Sequence, residues 1–448
     1  MSSNYQNFLA KKSVRNPKQG FKPLWIPDCL FPFQRPLVSW AIQEGRCALL
    51  ESCGMGKSVQ ELVWAENVIR YTNGNILFLT PLSVGQQMVR EGEKFGIKTT
   101  RTKNGRVYKG INITNYQQLH KYSPSDFVAV VADECSVMKD FSTKTRKLLT
   151  QFLLDIPYRL ICTATPAPND FMELGSYSEA LGIMPRNQML GMFFTNDGET
   201  TQKWRLKGHA KVRFWQWMAS WARAVRMPSD IGFDDGDFKL PPLNINKVIV
   251  KSDGPRKGFL PEIAKTLREQ RKERKLSLER RCAKAAELLP KDKPGIGWVH
   301  FNPEGDLLTD MISGAVQVTG SDSDEKKEET LNAFSCGQIR TLITKPSIAG
   351  FGLNWQHCCN VTYFPSFSHE KFYQAIRRSY RFGQKETVNC YLIYTEAEAS
   401  ITSNMLRKER QCDELYAGIV RHINDAVKLQ NNKGDCKESL EIPSWLLS

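Results

Sequence analysis

Short, unbroken apolar runs punctuate the first half of the chain, and between them apolar residues recur at helical spacing. The runs are Cys47 to Leu50, the ILFL of NILFLTP (75–81), a strand ending near ITNYQQL, the VAVVA of FVAVVADECS (127–136) and the start of RLICTATPAPND (159–170). A run without polar alternation is buried on both faces, which is the pattern of a parallel sheet covered by helices. The helical segments fit that arrangement. FPFQRPLVSWAIQEG carries Leu37, Val38, Trp40, Ala41 and Ile42, and a second helix carries Val59, Leu62, Val63 and Ile69. Strands and helices in alternation predict an α/β fold whose ligands gather at the carboxyl ends of the strands.

The pattern changes from Pro185 to Leu240, which belongs to neither core pattern. There Phe214, Trp217, Met218, Trp221 and Val225 follow helical spacing and read as packing residues. Further on, SDSDEKKEETLNAF predicts a loop feeding a helix with a solvated acidic face. From Ile401 the chain reads as helical. It then turns polar in LQNNKGDCKES, of linker composition, and ends in the apolar tip SLEIPSWLLS.

At 448 residues the chain is too long for one core and suggests two domains. Its hydrophobic share of 41% and charged share of 24% are those of a soluble globular protein. No apolar run reaches bilayer length, and the basic, polar N-terminus has no secretory hydrophobic region. Twelve scattered cysteines without a Cys-x-x-Cys pair fit reduced thiols in a cytoplasmic compartment. His357, Cys358 and Cys359 make a poor zinc cluster and read as buried packing. The net charge of +15 points to a polyanionic partner, nucleic acid being the usual one. Between Lys251 and Lys293, 14 lysines and arginines stand against 7 acidic residues. That stretch reads equally as a phosphate-backbone contact and as a solvated helix laced with i,i+4 pairs.

The densest chemistry is in LLESCGMGKSVQ (49–60), between the first strand and a helix. Gly54 and Gly56 let the backbone, with Met55 between them, approach a ligand, and the amides at the helix start point at anionic oxygens. Lys57 would reach the outer phosphates of ATP and Ser58 a magnesium ion (Mg2+). Glu51 departs from the glycine that the stricter form of this pattern has there. Upstream, Gln34 either reads an adenine edge or merely starts a helix. Asp133 and Glu134 follow a buried strand, where the first would hold magnesium through water and the second would orient and deprotonate an attacking water. The turn at Thr163, Ala164, Thr165 and Pro166 would hydrogen-bond to that acidic pair and to a neighbouring domain.

In this order, ESCGMGKS, LTP, DECS and TATP resemble the first RecA-like lobe of superfamily 2 helicases and translocases. NDFMELGSYSEALG is similar to the segment that follows in their Swi/Snf branch. GIGWVHF (295–301) looks like the opening strand of a second lobe. TLITKPSIAGFGLNWQHC (341–358) and FYQAIRRSYRFGQKETVNCYLI (372–393) are similar to that branch's fifth and sixth motifs. In the latter, Gln374, Arg377, Arg378 and Arg381 share a helical pattern, and guanidinium groups bind phosphate through planar, paired hydrogen bonds. The resemblance maps the finger-like arginines to Arg378 and Arg381, while Arg377 departs from the glycine common elsewhere in the superfamily. Across a cleft from Lys57, the arginine pair would stabilise charge on a transferring phosphoryl group only when the cleft is closed. Gly350 and Gly352 would allow close backbone approach to ATP or a phosphate.

The resemblance implies an N-terminal extension (1–29), a first RecA-like ATP-binding lobe (30–184), a helical insertion (185–240) and a basic helical linker (241–290). A second RecA-like lobe (291–400) and a C-terminal helical tail (401–448) complete it. It implies an ATP-dependent, magnesium-dependent motor translocating on double-stranded DNA, of the compact form found among bacterial and phage proteins. Gln34 and Gln374 would contact nucleotide; Thr80, Pro81, Lys207 and Lys211 would contact nucleic acid. A strand-separating DNA or RNA helicase would share these motifs, and a nucleic-acid-binding scaffold with weak ATPase activity is a second alternative.

Overall fold

The computed structural model describes residues 18–135, 144–167, 170–196, 204–251, 256–257, 260–261, 266–349 and 353–435. The strands of the first half are β1 (Arg46–Glu51), β2 (Ile76–Thr80), β3 (Thr99–Arg101), β4 (Ile111–Asn115), β5 (Ala129–Ala132) and β6 (Tyr158–Thr163). β7 (Phe194–Asn196) and β8 (Trp204–Leu206) pair antiparallel, apart from the main sheets. With β9 (Ala222–Val225), the first six form a wholly parallel sheet in the order β3-β4-β2-β5-β6-β1-β9. Strand periodicity turns Cys47 and Leu49 to one face and Ala48 and Leu50 to the other. The first face packs on the helices Gln34–Glu44 and Lys57–Thr72. The second packs on the helices Leu174–Leu181 and Lys211–Ala219. Two-sided cover is what an all-parallel sheet requires.

The second half repeats the plan. Here the strands are β10 (Leu243–Val250), a short antiparallel pair β11 (Arg256–Lys257) and β12 (Leu260–Pro261), β13 (Gly295–Trp298), β14 (Ala315–Val318), β15 (Thr341–Thr344), β16 (Asn360–Tyr363) and β17 (Val388–Thr395). The parallel order is β10-β17-β16-β13-β15-β14. The fold class expected from the sequence, α/β with two parallel-sheet lobes and a helical C-terminal segment, is the one observed.

Two stretches differ from expectation. Residues 185–240, read as a helical insertion outside either core, supply β9, which pairs with β1 beside the phosphate-type loop. The helix there ends at Ala219, so Trp221 and Val225 are buried by the sheet and not by a continuous helix. Residues 241–290, read as a helical linker, begin with the eight-residue strand β10, paired along its whole length with β17. Its alternation sends Leu243 and Ile245 to one side of the second sheet and Val248 and Val250 to the other.

The chain closes with a 37-residue helix, Ala399–Asp435, which runs on through the start of the stretch expected to be linker. Its first turns pack Met405 into the second core, and its later turns place Ile419, Val420 and Ile423 in the first. It therefore spans both lobes, over roughly 55 Å at helical rise. The tip SLEIPSWLLS lies outside the described residues. Cys358 and Cys359 lie within the second core. No helix among the described residues is long and apolar enough to cross a membrane.

Candidate functional site

β1 ends at Glu51, and the loop that follows turns on two left-handed glycines, Gly54 (φ 92°) and Gly56 (φ 75°). Both positions are also sterically closed. A Cβ on Gly56 would stand 2.3 Å from Gln34 Nε2, and one on Gly54 2.8 Å from the backbone nitrogen of Phe382 in the second lobe. Glu51 itself is the last residue of an extended strand, so nothing there demands glycine. Its carboxylate accepts from Gln60 Nε2 at 2.7 Å, and burial, opposed by Lys57 and Gln60, pushes its pKa up to about 7.

Gln34 is wholly buried, donates from Nε2 to the Met55 carbonyl at 2.8 Å and accepts the Phe31 N–H at 3.0 Å. Through these two bonds it braces the loop from behind. Lys57 opens the helix and donates to the carbonyls of Glu51 (3.0 Å) and Ser52 (3.3 Å). Burial works against its charge, but the fields of Cys53, Glu134, Glu51 and Asp133 outweigh it and keep its pKa above the ordinary value. Ser58, half-buried, is the next residue of that helix.

Asp133 and Glu134 leave the carboxyl end of β5. Glu134 has φ 47°, a left-handed conformation that costs a non-glycine residue energy. The Tyr116 hydroxyl donates to the Asp133 carbonyl at 2.6 Å. Burial, reinforced by Glu134 and opposed by Lys57, pushes the Asp133 carboxyl up to about 7. Glu61, wholly buried on the loop's own helix, belongs to the same field. Burial first, and then Asp133, holds its pKa well above the usual range. The sequence signal for Glu61 and Gln60 was a polar pair inside the apolar stretch Val59 to Val63.

From the other side, the helix His369–Ser379 brings Arg378, and the following turn brings Arg381. Their Nη1 atoms share one acceptor, the Leu353 carbonyl, at 3.1 and 3.2 Å. Arg378 is buried within the field of Cys53, Glu134 and Asp133, and burial lowers its pKa. Burial, with Arg378 alongside, lowers that of Arg381 to about 10. Arg381 Nε is buried with no hydrogen-bond partner among the described residues. A buried and a half-buried guanidinium side by side, one with an orphaned N–H, form a cationic pair of the kind that can receive an anion. Gln374 lies on the same helix, buried, its amide 3.5 Å from the Glu370 carboxylate. Arg377 instead lies over the rings of Tyr373 and Tyr380, at 4.9 and 5.4 Å.

The lobes meet on both sides of this site. Phe382 stacks on Phe238 with ring centroids 4.4 Å apart and meets Phe31 at 5.7 Å, over the phosphate-type loop. On the other side, Arg101 Nη1 bridges both Glu328 oxygens at 3.1 Å, and Arg90 donates to Asn332. Beside the Arg90 and Arg101 contacts lies a cleft of about 550 Å³ whose walls include Pro81, Tyr116, Glu134, Asn332 and Leu353. The turn at Thr165 and Pro166 meets the second lobe at His369 and Tyr373.

Among the described residues, only Pro81 and Glu134 of those expected line this cleft; Lys57, Ser58, Asp133, Arg378 and Arg381 do not. Thr80, expected to contact nucleic acid, is wholly buried with its hydroxyl donating to the Pro81 carbonyl. Lys207 donates to the Gly191 carbonyl at 2.8 Å, Lys211 is exposed at a helix start, and neither lines the cleft. Gly350 and Gly352 lie outside the described residues.

No protein-family model matches the chain, and no curated protein matches it in sequence. Among solved structures the chain is similar to the Sulfolobus solfataricus SWI2/SNF2 ATPase core in complex with dsDNA. The identity is 16% and the TM-score 0.41, over 90% of this chain and 98% of that one.

Proposed function

We propose that this chain is an ATP-hydrolysing motor that moves along nucleic acid, with double-stranded DNA as its track. One observation supports the reading above the others: the turn after the Arg378 helix closes on the loop of the first lobe, with the Phe382 backbone 2.8 Å from where a Cβ on Gly54 would stand, and Arg378 itself is buried. Neither lobe alone makes that contact.

The donor set fits a nucleoside triphosphate. Gly54 and Gly56 form a cradle that a side chain would fill, and Arg381 offers an unpartnered buried N–H. Lys57 exchanges its two loop carbonyls for phosphate oxygens, and the amides at the helix start hold the same group. Ser58 and Asp133 would hold magnesium, which when bound neutralises phosphate charge. Glu134, held by its strained backbone, orients water and takes its proton. Arg378 and Arg381 stabilise the negative charge that grows on the transferring group, so turnover requires the lobes together. Opening and closing of the cleft then moves one lobe along the polymer relative to the other.

Steady-state ATPase measured with no polymer, single-stranded DNA, double-stranded DNA and RNA at fixed salt tests the proposal. Duplex DNA is expected to stimulate most, and Lys57→Ala, Glu134→Gln and Arg378→Ala each to lower turnover by ~10³-fold. A labelled duplex is expected to stay paired; its opening would favour the strand-separating helicase. Turnover unaffected by polymer and by Lys57→Ala would overturn the motor.

A further inference from the structure

The basic stretch after β10 divides its charge between two opposite faces. The helix Leu267–Leu276 and the helix that follows it, Leu278–Leu288, turn Gln270, Glu273, Arg274, Ser277 and Arg281 inward, all buried. Arg281 Nη1 meets Glu304 at 3.0 Å. Arg274 meets Glu304 at 3.6 Å and Glu398 at 3.0 Å. Glu304 also accepts the N–H groups of His300 and Phe301 at 2.9 and 3.0 Å. Burial would raise the Glu304 carboxyl, but Arg274, Arg281 and those N–H groups overcome it and hold its pKa below the usual value. Gln270 donates to the Pro365 carbonyl at 3.2 Å. The helix is thereby fixed at the carboxyl ends of β13, β16 and β17, the edge from which the Arg378 helix also departs.

On the outer face stand Arg268, Arg271, Lys272 and Lys275, all exposed. Their spacing, i, i+3, i+4 and i+7, sets them within about 100° of one another around the helix. Among the described residues, no carboxylate lies within ion-pairing distance of these four. Glu269 is turned to the helix start, where it accepts the Thr266 N–H at 2.9 Å. A solvated helix surface would show compensating i,i+4 pairs for these cations, and among the described residues this one does not.

We propose that this ridge is a phosphate-backbone contact for double-stranded DNA on the second lobe, separate from the interlobe cleft. The proposal extends the motor reading by adding a polymer contact. Four cations over ~10 Å of helix match about three successive phosphates of one strand at ~3.4 Å rise each. The buried arginine–carboxylate lattice fixes the helix that carries the ridge, so little backbone order remains to be imposed on binding. Backbone contacts of this kind position a duplex without reading its sequence.

The test is equilibrium binding of the full chain to a labelled duplex across a salt series. It compares the parent with the quadruple variant Arg268→Gln, Arg271→Gln, Lys272→Gln, Lys275→Gln. The slope of log affinity against log salt is expected to become shallower by about 2 to 3, and equally for duplexes of unrelated sequence. A control carrying Lys272→Arg and Lys275→Arg is expected to keep the parent slope, and the melting temperature of the quadruple variant to match the parent's. An unchanged slope with unchanged melting would overturn the ridge, and would leave an acidic protein as the partner to seek. If duplex-stimulated ATPase is present in the parent but the slope does not move, only the ridge fails. If no polymer stimulates turnover yet the slope moves, the ridge stands and the motor falls.

Discussion

The Tyr416 hydroxyl donates to the Leu50 carbonyl at 2.9 Å, joining residues 366 positions apart, and lies 3.3 Å from the Val225 carbonyl. The last long helix is thus tied to the end of the strand that launches the phosphate-type loop, while its first turns belong to the other lobe. Tyr416→Phe keeps the ring and removes the donor. It is expected to lower stability by ~1 to 2 kcal/mol in urea unfolding.

Gly54 and Gly56 separate two effects. Gly56→Ala drives a Cβ toward buried Gln34 at a left-handed φ, and a loss of ~2 kcal/mol or more is expected, with nucleotide binding lost alongside it. Gly54→Ala meets the backbone of Phe382 instead. It is expected to push the lobes apart, read as lower energy transfer between dyes placed one on each lobe.

Much of this fold was legible because its chemistry is local. Strands β1, β2, β5 and β6 are apolar runs, and Lys57, Asp133 and Glu134 stand at their ends. β9 was hidden because its ARAV continues the helical spacing of Trp217 and Trp221. β10 was hidden because its alternation, LNINKVIV, runs into the basic stretch that begins at Lys251. Gln34 could not be assigned, since a glutamine before a loop reads the same whether its amide faces a base or Met55. The Phe382 contact with Gly54 depends on how the lobes meet, which no local pattern encodes.

The buried lattice of the second lobe predicts a large loss from a small change. Glu304→Gln leaves Arg281 and Arg274 facing a neutral amide, and ~3 to 5 kcal/mol is expected to be lost, measured by denaturant unfolding. The exposed Arg268→Gln on the same helix pair is expected to cost under ~0.5 kcal/mol.

Arg101 and Glu328 are both partly exposed, so their ion pair contributes little to stability, under ~1 kcal/mol. Its effect is expected on lobe separation. Glu328→Gln should increase the radius of gyration in low salt, and high salt should bring the parent toward the variant.

Glu409 faces Asp413 and Arg377 near His369, and burial, with Asp413, pushes its pKa up to about 7. A carboxyl raised in the folded state binds more protons there than when unfolded, so stability falls as pH rises from about 4.5 through 7. Glu409→Gln is expected to flatten that decline by on the order of 2 kcal/mol, read from melts at pH 5 and pH 8.

The Phe382 backbone occupies the space that any side chain at position 54 would need. The two halves of the molecule are therefore not interchangeable modules: a hybrid that joined this front half to a foreign back half would inherit a mismatch at its seam. Such hybrids should be rescued by transplanting the Phe382 turn alone, because the front half already carries its aromatic seat at Phe31 and Phe238.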